Sequence, residues 1–513
     1  MSIAALGGAM LGPLDRLAAA LVDPARRERT AVELLVAYVA VWTLYGVLAK
    51  GSQDVHFDMG EAVVWSREPA LGYSKHPPLS AWVVKAWFTI FPLADWAYYL
   101  LAMSLAGLAL WVAWVLSARW LDGEKRVAGL ALLTLVPFFN FHALKFNANT
   151  ALIPLWATTT LFFLRSYEER EPVAAALAGV AAAAAMLGKY WSIVLLAGLA
   201  IAALADGRRR GYFRSPAPWI TIAAGAIVLG PHVLWLLSRG SSPLDYALDK
   251  HPAQNLLDAG IGSLKFLAGG AAYVAVPLVL LAAATRPDAA AIRDTLWPPT
   301  AHRRIAALAF WAPLLVAILV GLAARVLITS LWIMSAVTLL AVVLLSSPRI
   351  ALRRGALPVL LGVAIALPVL STLAAPGIAY VIHRNGLSHH AAHYRLVAEA
   401  VDRAWRARTP HPMRLLGSDT NLGNGVAFYL ADRPSTLDVV DPRHTPWADE
   451  ARIAREGIAL VCAVEDADCM RGIDVLASRR SGAARTEVEV ARSYLGAAGR
   501  PERYAIITLP PQF

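Results

Sequence analysis

The sequence predicts an α-helical polytopic membrane protein that carries a small α/β domain at its C-terminal end. Hydrophobic residues make up 58% of the 513 residues and charged residues only 16%, whereas soluble globular proteins contain about 25% charged residues. Apolar runs of membrane-spanning length recur throughout the first 375 residues. Beyond them, short helix-like and strand-like runs alternate. We therefore expect a transmembrane domain over residues 1–375 and a soluble domain over 376–513.

The apolar runs predict about eleven membrane spans. The first follows a basic cluster, and we expect it to act as an uncleaved anchor, because the apolar run before it is interrupted by Pro13 and Asp15. The predicted spans are 31–49, 96–117, 127–142, 148–164, 172–188, 190–205, 217–237, 264–284, 305–322, 326–345 and 355–375.

A twelfth apolar run, 78–92, is expected to lie on the membrane surface. It opens with two prolines and carries Lys85 near its middle. If it does not cross, one side of the membrane receives twenty Lys or Arg residues and the other side ten, as the positive-inside rule requires. This topology predicts an interfacial helix on the external face, with the C-terminus and the segment 51–95 on the same side.

The net charge of +11 falls mostly in short loops between the apolar runs, where membrane topology accounts for it. Nucleic acid is therefore not an expected partner. The C-terminal domain contains the only two cysteines, Cys462 and Cys469. An oxidising external compartment would permit a disulfide between them, and two buried free thiols are the equal alternative.

The external segment concentrates polar residues next to a predicted membrane surface. Lipid-facing spans do not need so many ionisable side chains near their ends, and such residues commonly mark function. The pattern consists of Asp58, Trp65-Ser66, Gly72-Tyr73 and His76-Pro77-Pro78-Leu79, followed later by Lys145-Phe146-Asn147-Ala148-Asn149 and Leu152-Ile153-Pro154-Leu155-Trp156. It resembles the bacterial family 39 glycosyltransferases, which include protein mannosyltransferases and the aminoarabinose and galacturonic acid transferases of lipid A. The similarity covers roughly the first half of the chain.

The resemblance implies a GT-C fold and a glycosyltransferase that uses a polyprenyl-phosphate sugar donor. The acceptor would be an envelope component, either lipid A or its core, another glycan, a lipid or a protein. The implied location is the bacterial inner membrane, with the active site and C-terminus in the periplasm. The resemblance implies no required cofactor, and it leaves a divalent metal open.

Within the motif, Asp58 is the expected general base that accepts the proton of the acceptor hydroxyl. The resemblance places it where the family keeps a catalytic aspartate, and its apolar neighbours predict a raised pKa through desolvation. Glu61 lies three residues later, on the same helical face if this stretch is helical. It either orients the acceptor, shares a metal ion or completes a helix start.

Lys75 and His76 depart from the lipid A transferases, which often carry an acidic residue and a lysine at these two positions. His76 either donates to a phosphate or sugar, or is a helix-start histidine satisfied by the backbone. Asn147 and Asn149 either bind sugar hydroxyls or cap the helix that begins near Thr150. For Asn149, capping is the preferred interpretation.

Phosphate binding is assigned to isolated cations at predicted outer helix ends, namely Lys145, Lys189 and Arg325. Snorkelling to lipid headgroups is the competing interpretation for each. Lys189, followed by Tyr190, is the strongest candidate. The loop 241–258 is interpreted, from its position alone, as a lid over the site.

Two other functions fit an apolar chain of this kind. A transporter or flippase for lipid-linked sugars would place ionisable residues near the middle of spans, within two related halves. In this sequence they cluster at one face instead. A receptor with a binding domain would not need so many spans to anchor it.

Overall fold

The computed structural model describes residues 3–239, 252–386 and 393–511. Up to residue 386 the regular secondary structure of these residues is helical. The helices are α1 (Ile3–Val22), α2 (Arg27–Ala49), α3 (Phe57–Arg67), α4 (Leu79–Ile90), α5 (Asp95–Ser117), α6 (Gly123–Thr134), α7 (Ala148–Glu169), α8 (Pro172–Gly188), α9 (Ile193–Ala205), α10 (Arg209–Phe213), α11 (Ala217–Arg239), α12 (Leu256–Thr285), α13 (Ala289–Leu296), α14 (Ala301–Ala323), α15 (Leu340–Leu345) and α16 (Ala356–Asn385).

Six helices in the described part of the chain are long and apolar enough to cross a bilayer. They are Arg27–Ala49, Asp95–Ser117, Ala217–Ser238, Leu256–Thr285, Ala301–Ala323 and Ala356–Asn385. Helices α8 and α9 are apolar but shorter. The chain is a multi-pass membrane protein, and the predicted number of eleven spans stays a prediction.

Two predicted spans are not continuous helices. The run 127–142 lies partly in α6, which ends at Thr134 and is followed by a 3₁₀ turn at Pro137–Phe139. Pro137 supplies no backbone N–H to continue the helix. The run 326–345 forms two 3₁₀ turns, Ser330–Ile333 and Ala336–Leu339, before α15 begins.

Helix α4 corresponds to the run expected on the membrane surface. It has 12 residues, so its length of about 18 Å is shorter than a hydrocarbon core of about 30 Å. Lys85 is exposed on it. This length agrees with a helix that does not cross the bilayer.

The last long helix, α16, continues to Asn385, so the domain boundary expected at 376 falls inside it. The boundary was predicted from the end of an apolar run near residue 375, whereas the helix continues into the polar residues His383, Arg384 and Asn385. The next described helix begins at Tyr394.

The C-terminal domain packs helices against a five-stranded sheet. Its elements are α17 (Tyr394–Arg406), β1 (Leu415–Ser418), α18 (Thr420–Tyr429), β2 (Ser435–Asp438), α19 (Glu450–Glu456), β3 (Ile458–Ala463), α20 (Ala467–Ser478), β4 (Ala484–Val490), β5 (Ser493–Tyr494), β6 (Ala497–Ala498) and β7 (Glu502–Leu509). The strand order is β2-β1-β3-β7-β4, and β1 is parallel to both β2 and β3. Strand β7 is antiparallel to β3 and β4. Cys462 and Cys469 form a disulfide between β3 and α20.

Helix α3 joins the two halves of the molecule. Met59, Ala62 and Val63 belong to the apolar core of the transmembrane helices, whereas Val64 is buried in the core of the C-terminal domain. At the end of α3, the Arg67 guanidinium donates to backbone carbonyls of the C-terminal domain at 2.5 and 3.2 Å. The sheet domain therefore holds the helix that carries Asp58.

Gly60 permits the close contact between α3 and the C-terminal domain, and the variant Gly60→Ala tests this contact. An added Cβ would lie 2.5 Å from the carbonyl oxygen of Asn424 in α18. Overpacking of this kind costs about 1–3 kcal/mol. We expect Gly60→Ala to lower the thermal unfolding midpoint of the purified protein, followed by tryptophan fluorescence.

Gly230→Ala is the matched control for this change, because no described atom lies within 4 Å of its Cβ position in α11. Its midpoint should stay the same or rise, since alanine favours a helix more than glycine does. Equal midpoints for Gly60→Ala and the wild type would show that the two halves are not closely packed at α3.

Candidate active site

The start of α3 places Asp58 next to a cation. His56 is the N-cap residue of α3, and its Nδ1 accepts the backbone N–H of Asp58 at 3.2 Å. Lys145 Nζ lies 3.0 Å from Asp58 Oδ2 and 3.2 Å from His56 Nε2. Asn147 Nδ2 approaches the same carboxylate at 3.4 Å. The side chains of Asp58 and Lys145 are 27% and 40% exposed, so a ligand can reach both.

The electrostatics of Asp58 differ from the expectation of a raised pKa. Burial raises the pKa of Asp58, but Lys145, His56 and Asn147 together lower it, and the net shift is downward. The sequence argument considered only the apolar neighbours. It missed His56 and the ion pair with Lys145, which is distant in sequence. Asp58 is therefore ionised at neutral pH.

The two asparagines have exchanged the roles that the sequence favoured. Asn147 is the N-cap of α7, where its Oδ1 accepts the backbone N–H groups of Asn149 and Thr150. The side-chain oxygen of Asn149 instead accepts a hydrogen bond from Lys189 Nζ at 2.7 Å. The preferred interpretation of Asn149 as the cap was therefore wrong, because the cap lies two residues earlier.

Lys189 lies in the break between α8 and α9, in an extended backbone conformation. Its ammonium group is 4.9 Å from the centre of the Trp332 ring, which comes from the broken run after α14. Burial lowers the pKa of Lys189 to about 8, against the opposing effect of Asp58. Lys189 is thus a half-buried cation on the same side of the helices as Asp58.

Tyr190 connects this region to the external segment. Its hydroxyl lies 3.0 Å from His232 Nε2, and His232 Nδ1 lies 2.6 Å from the carbonyl oxygen of Leu71. Since a carbonyl can only accept, Nδ1 carries the proton and Nε2 accepts from Tyr190. His232 is 2% exposed and is therefore a packed histidine.

Glu61 faces the C-terminal domain and pairs with Lys75 at 2.7 Å. Their side chains are 8% and 15% exposed. Burial raises the pKa of Glu61 although Lys75 opposes the shift. A small polar pocket lies here between α3 and the carboxyl ends of β1 and β2, where it is lined by Asp438 and His444. In open sheets with parallel strands, this edge is the usual place for ligands.

Lys75→Met should destabilise the protein, because it leaves a buried carboxylate without its cation. Breaking a buried pair in this way costs about 3 kcal/mol. The double variant Glu61→Gln/Lys75→Met should recover most of the loss, as no uncompensated charge remains. Thermal unfolding of the three proteins measures both effects. The control is Arg455→Met, which removes a cation that is 67% exposed and should change the unfolding midpoint little. A double variant that is no more stable than Lys75→Met would contradict the pairing of Glu61 with Lys75.

His76 lies close to this pair, with its ring centre 6.1 Å from that of Trp65. Burial lowers the pKa of His76 to about 3, and Lys189 and Lys75 act in the same direction. The imidazole is therefore neutral at neutral pH and offers one N–H donor.

Arg325 is not brought into this cluster. Its side chain is exposed, and among the described residues it makes no contact with Asp58 or Lys189. Its carbonyl oxygen accepts the backbone N–H of Ala253 at 2.7 Å. Most of the loop interpreted as a lid, 240–251, lies outside the described residues.

A metal-ligand arrangement occurs once within the described ranges, formed by Asp419, Asp466 and Cys469. The sulfur of Cys469 is bonded to Cys462 and is not available as a thiolate ligand. A divalent metal at Asp58 or Glu61 stays a prediction.

Part of this cluster lies in a region of the chain that is similar to a known family. Residues 75–235 match the family described as dolichyl-phosphate-mannose-protein mannosyltransferase; the range includes Lys145 and Lys189 and begins after Asp58. Lipopolysaccharide core galacturonosyltransferase RgtB of Rhizobium johnstonii is 26% identical over 259 residues, which are 49% of this chain and 50% of that protein. RgtA of the same organism is 25% identical over 274 residues, 51% of this chain and 54% of that protein. The matches span about half the length of these curated relatives.

The fold is similar to that of ArnT from Cupriavidus metallidurans. The structure of ArnT bound to undecaprenyl phosphate superposes with a TM-score of 0.63 at 14% identity, and covers 92% of this chain and 97% of that one. The apo structure gives the same TM-score at 16% identity. These matches confirm the predicted resemblance and the GT-C fold.

Proposed function

We propose that this chain, with its GT-C fold, is an inverting glycosyltransferase that uses a polyprenyl-phosphate sugar donor. The acceptor is an envelope lipid A or core, glycan, lipid or protein on the periplasmic face of a bacterial inner membrane. The observation that carries the proposal is a carboxylate, Asp58, held 3.0 Å from Lys145, with the half-buried cation Lys189 on the same side of the helices.

In the proposed reaction the acceptor hydroxyl attacks the anomeric carbon from the side opposite the phosphate. The bond from that carbon to the phosphate oxygen breaks, and polyprenyl phosphate leaves. Asp58 takes the hydroxyl proton, and Lys145 and Lys189 stabilise the leaving phosphate. Once Lys145 shares its charge with the phosphate, it lowers the pKa of Asp58 less, and the carboxylate becomes a better base.

The other residues of the cluster fit supporting roles in this proposal. Neutral His76 and Asn147 offer N–H donors to the sugar or phosphate, and Tyr190 positions the external segment through His232. Glu61, held by Lys75, orients the acceptor on the side that faces the C-terminal domain. Arg325 is exposed, and its side chain makes no hydrogen bond or ion pair with these groups among the described residues, so we assign it no role in phosphate binding.

Mass spectrometry of envelope glycolipids tests the proposal. A strain that lacks the gene should lose one sugar residue from a glycolipid or glycan, and the intact gene should restore it. The purified protein should then transfer that sugar from its polyprenyl-phosphate donor. A purified protein that moves the lipid-linked sugar between leaflets without transferring it would support the flippase alternative instead.

A further inference from the structure

A second candidate binding site lies at the membrane face opposite the Asp58 cluster. An apolar cavity of about 370 Å³ opens between α7, α8, α9 and α11. Helix α11 contributes one face to it, through Pro218, Thr221, Ile222, Gly225 and Leu229. These positions recur at the spacing of a single helical face. The cavity is therefore a groove that runs along α11.

The length of this groove matches one leaflet of a bilayer. Eleven steps separate Pro218 from Leu229, which is about 16 Å at 1.5 Å per residue. The hydrocarbon core of a bilayer is about 30 Å thick, so the groove spans about half of it. Gly179 of α8 leaves room for this geometry, because a Cβ there would contact the backbone of α11 at Thr221.

Basic residues lie next to the end of the groove that is farther from Lys189. Tyr212 and Phe213 of α10 line the cavity at this end, and Arg209, Arg210 and Arg214 on the same short segment are exposed. Within the described ranges, neither Arg210 nor Arg214 pairs with a carboxylate. An apolar groove capped by unneutralised guanidinium groups suits an amphiphile with an anionic head.

We propose that this groove binds an anionic phospholipid of the adjacent leaflet. One acyl chain lies along α11, and the phosphate and anionic headgroup contact Arg210 and Arg214. Guanidinium groups bind phosphate through paired hydrogen bonds. The polyprenyl donor is a different ligand, because its phosphate belongs at Lys189, at the other end of α8.

Native mass spectrometry of the full-length protein, delipidated in detergent, tests this site. The probes are dioleoyl phosphatidylglycerol and dioleoyl phosphatidylcholine. We expect the wild type to bind the first at least tenfold more tightly than the second. Arg210→Gln/Arg214→Gln should remove this preference, and Ala226→Phe, which adds bulk to an exposed position in the groove, should weaken both lipids.

The matched control is Arg353→Gln/Arg354→Gln. These two arginines are exposed just before α16, at the same face of the membrane and away from the groove. The control should bind phosphatidylglycerol as the wild type does. Equal loss in the control, or no loss in the Arg210 and Arg214 variant, would overturn the proposal. Displacement of phosphatidylglycerol by stoichiometric undecaprenyl phosphate would also overturn it and assign the groove to the donor tail.

Discussion

Asp58→Asn should reduce sugar transfer at least 100-fold in a purified assay with saturating donor. An amide keeps the size and hydrogen-bonding shape of the carboxylate but does not accept a proton, and general base catalysis typically contributes a factor of about 10²–10⁴. The loss should appear in kcat. Since Asn147 and Lys145 still find an oxygen at this position, the folded structure should be retained.

The matched control for this variant is Asp474→Asn. Asp474 is an exposed aspartate of the C-terminal domain, paired only at the surface with Arg485. Its transfer rate should equal that of the wild type. A wild-type rate for Asp58→Asn, at equal thermal stability, would exclude Asp58 as the base and leave it as a structural partner of Lys145.

The sequence predicted most of the architecture because the signals for it are local. Apolar runs gave the long helices, and the alternation of helix-like and strand-like runs gave an α/β domain after them. Helix α18 was not predicted. It is the helix that packs on α3, and its glycines, Gly423 and Gly425, weaken the local helix signal. Its N-cap, Asp419, was the one signal that would have indicated it.

The sequence predicted which types of residue form the site, but not which of these residues contact each other. Isolated cations next to a membrane surface predicted Lys145 and Lys189 as candidates. Their partners, Asp58 and Asn149, are 87 and 40 residues away in the sequence, and only helix packing brings them together. The pKa of Asp58 was predicted in the wrong direction for this reason, because desolvation is visible in neighbouring residues and an ion pair between distant residues is not.

Lys189→Met should raise the KM for the polyprenyl-phosphate donor about 30-fold and change kcat less. Methionine fills a similar volume beside Trp332, but it removes the charge that binds the phosphate. A hydrogen bond to a charged group contributes about 2 kcal/mol, which corresponds to roughly 30-fold in binding. Steady-state transfer at varied donor concentration measures it. Lys85→Met, which removes an exposed lysine from α4 on the same face, should leave the KM unchanged.

The pH dependence separates phosphate binding by Lys189 from a purely structural role. Burial lowers its pKa to about 8, so the free protein carries the charge below pH 8 and loses it above. The wild-type KM for the donor should therefore rise between pH 7 and 9, whereas Lys189→Met should give a high KM that does not vary. Lys189→Arg should stay charged across this range and keep a low, constant KM. A wild-type KM that is flat from pH 7 to 9 would mean that another cation holds the phosphate, and Lys145, which already contacts Asp58, would be the next residue to change.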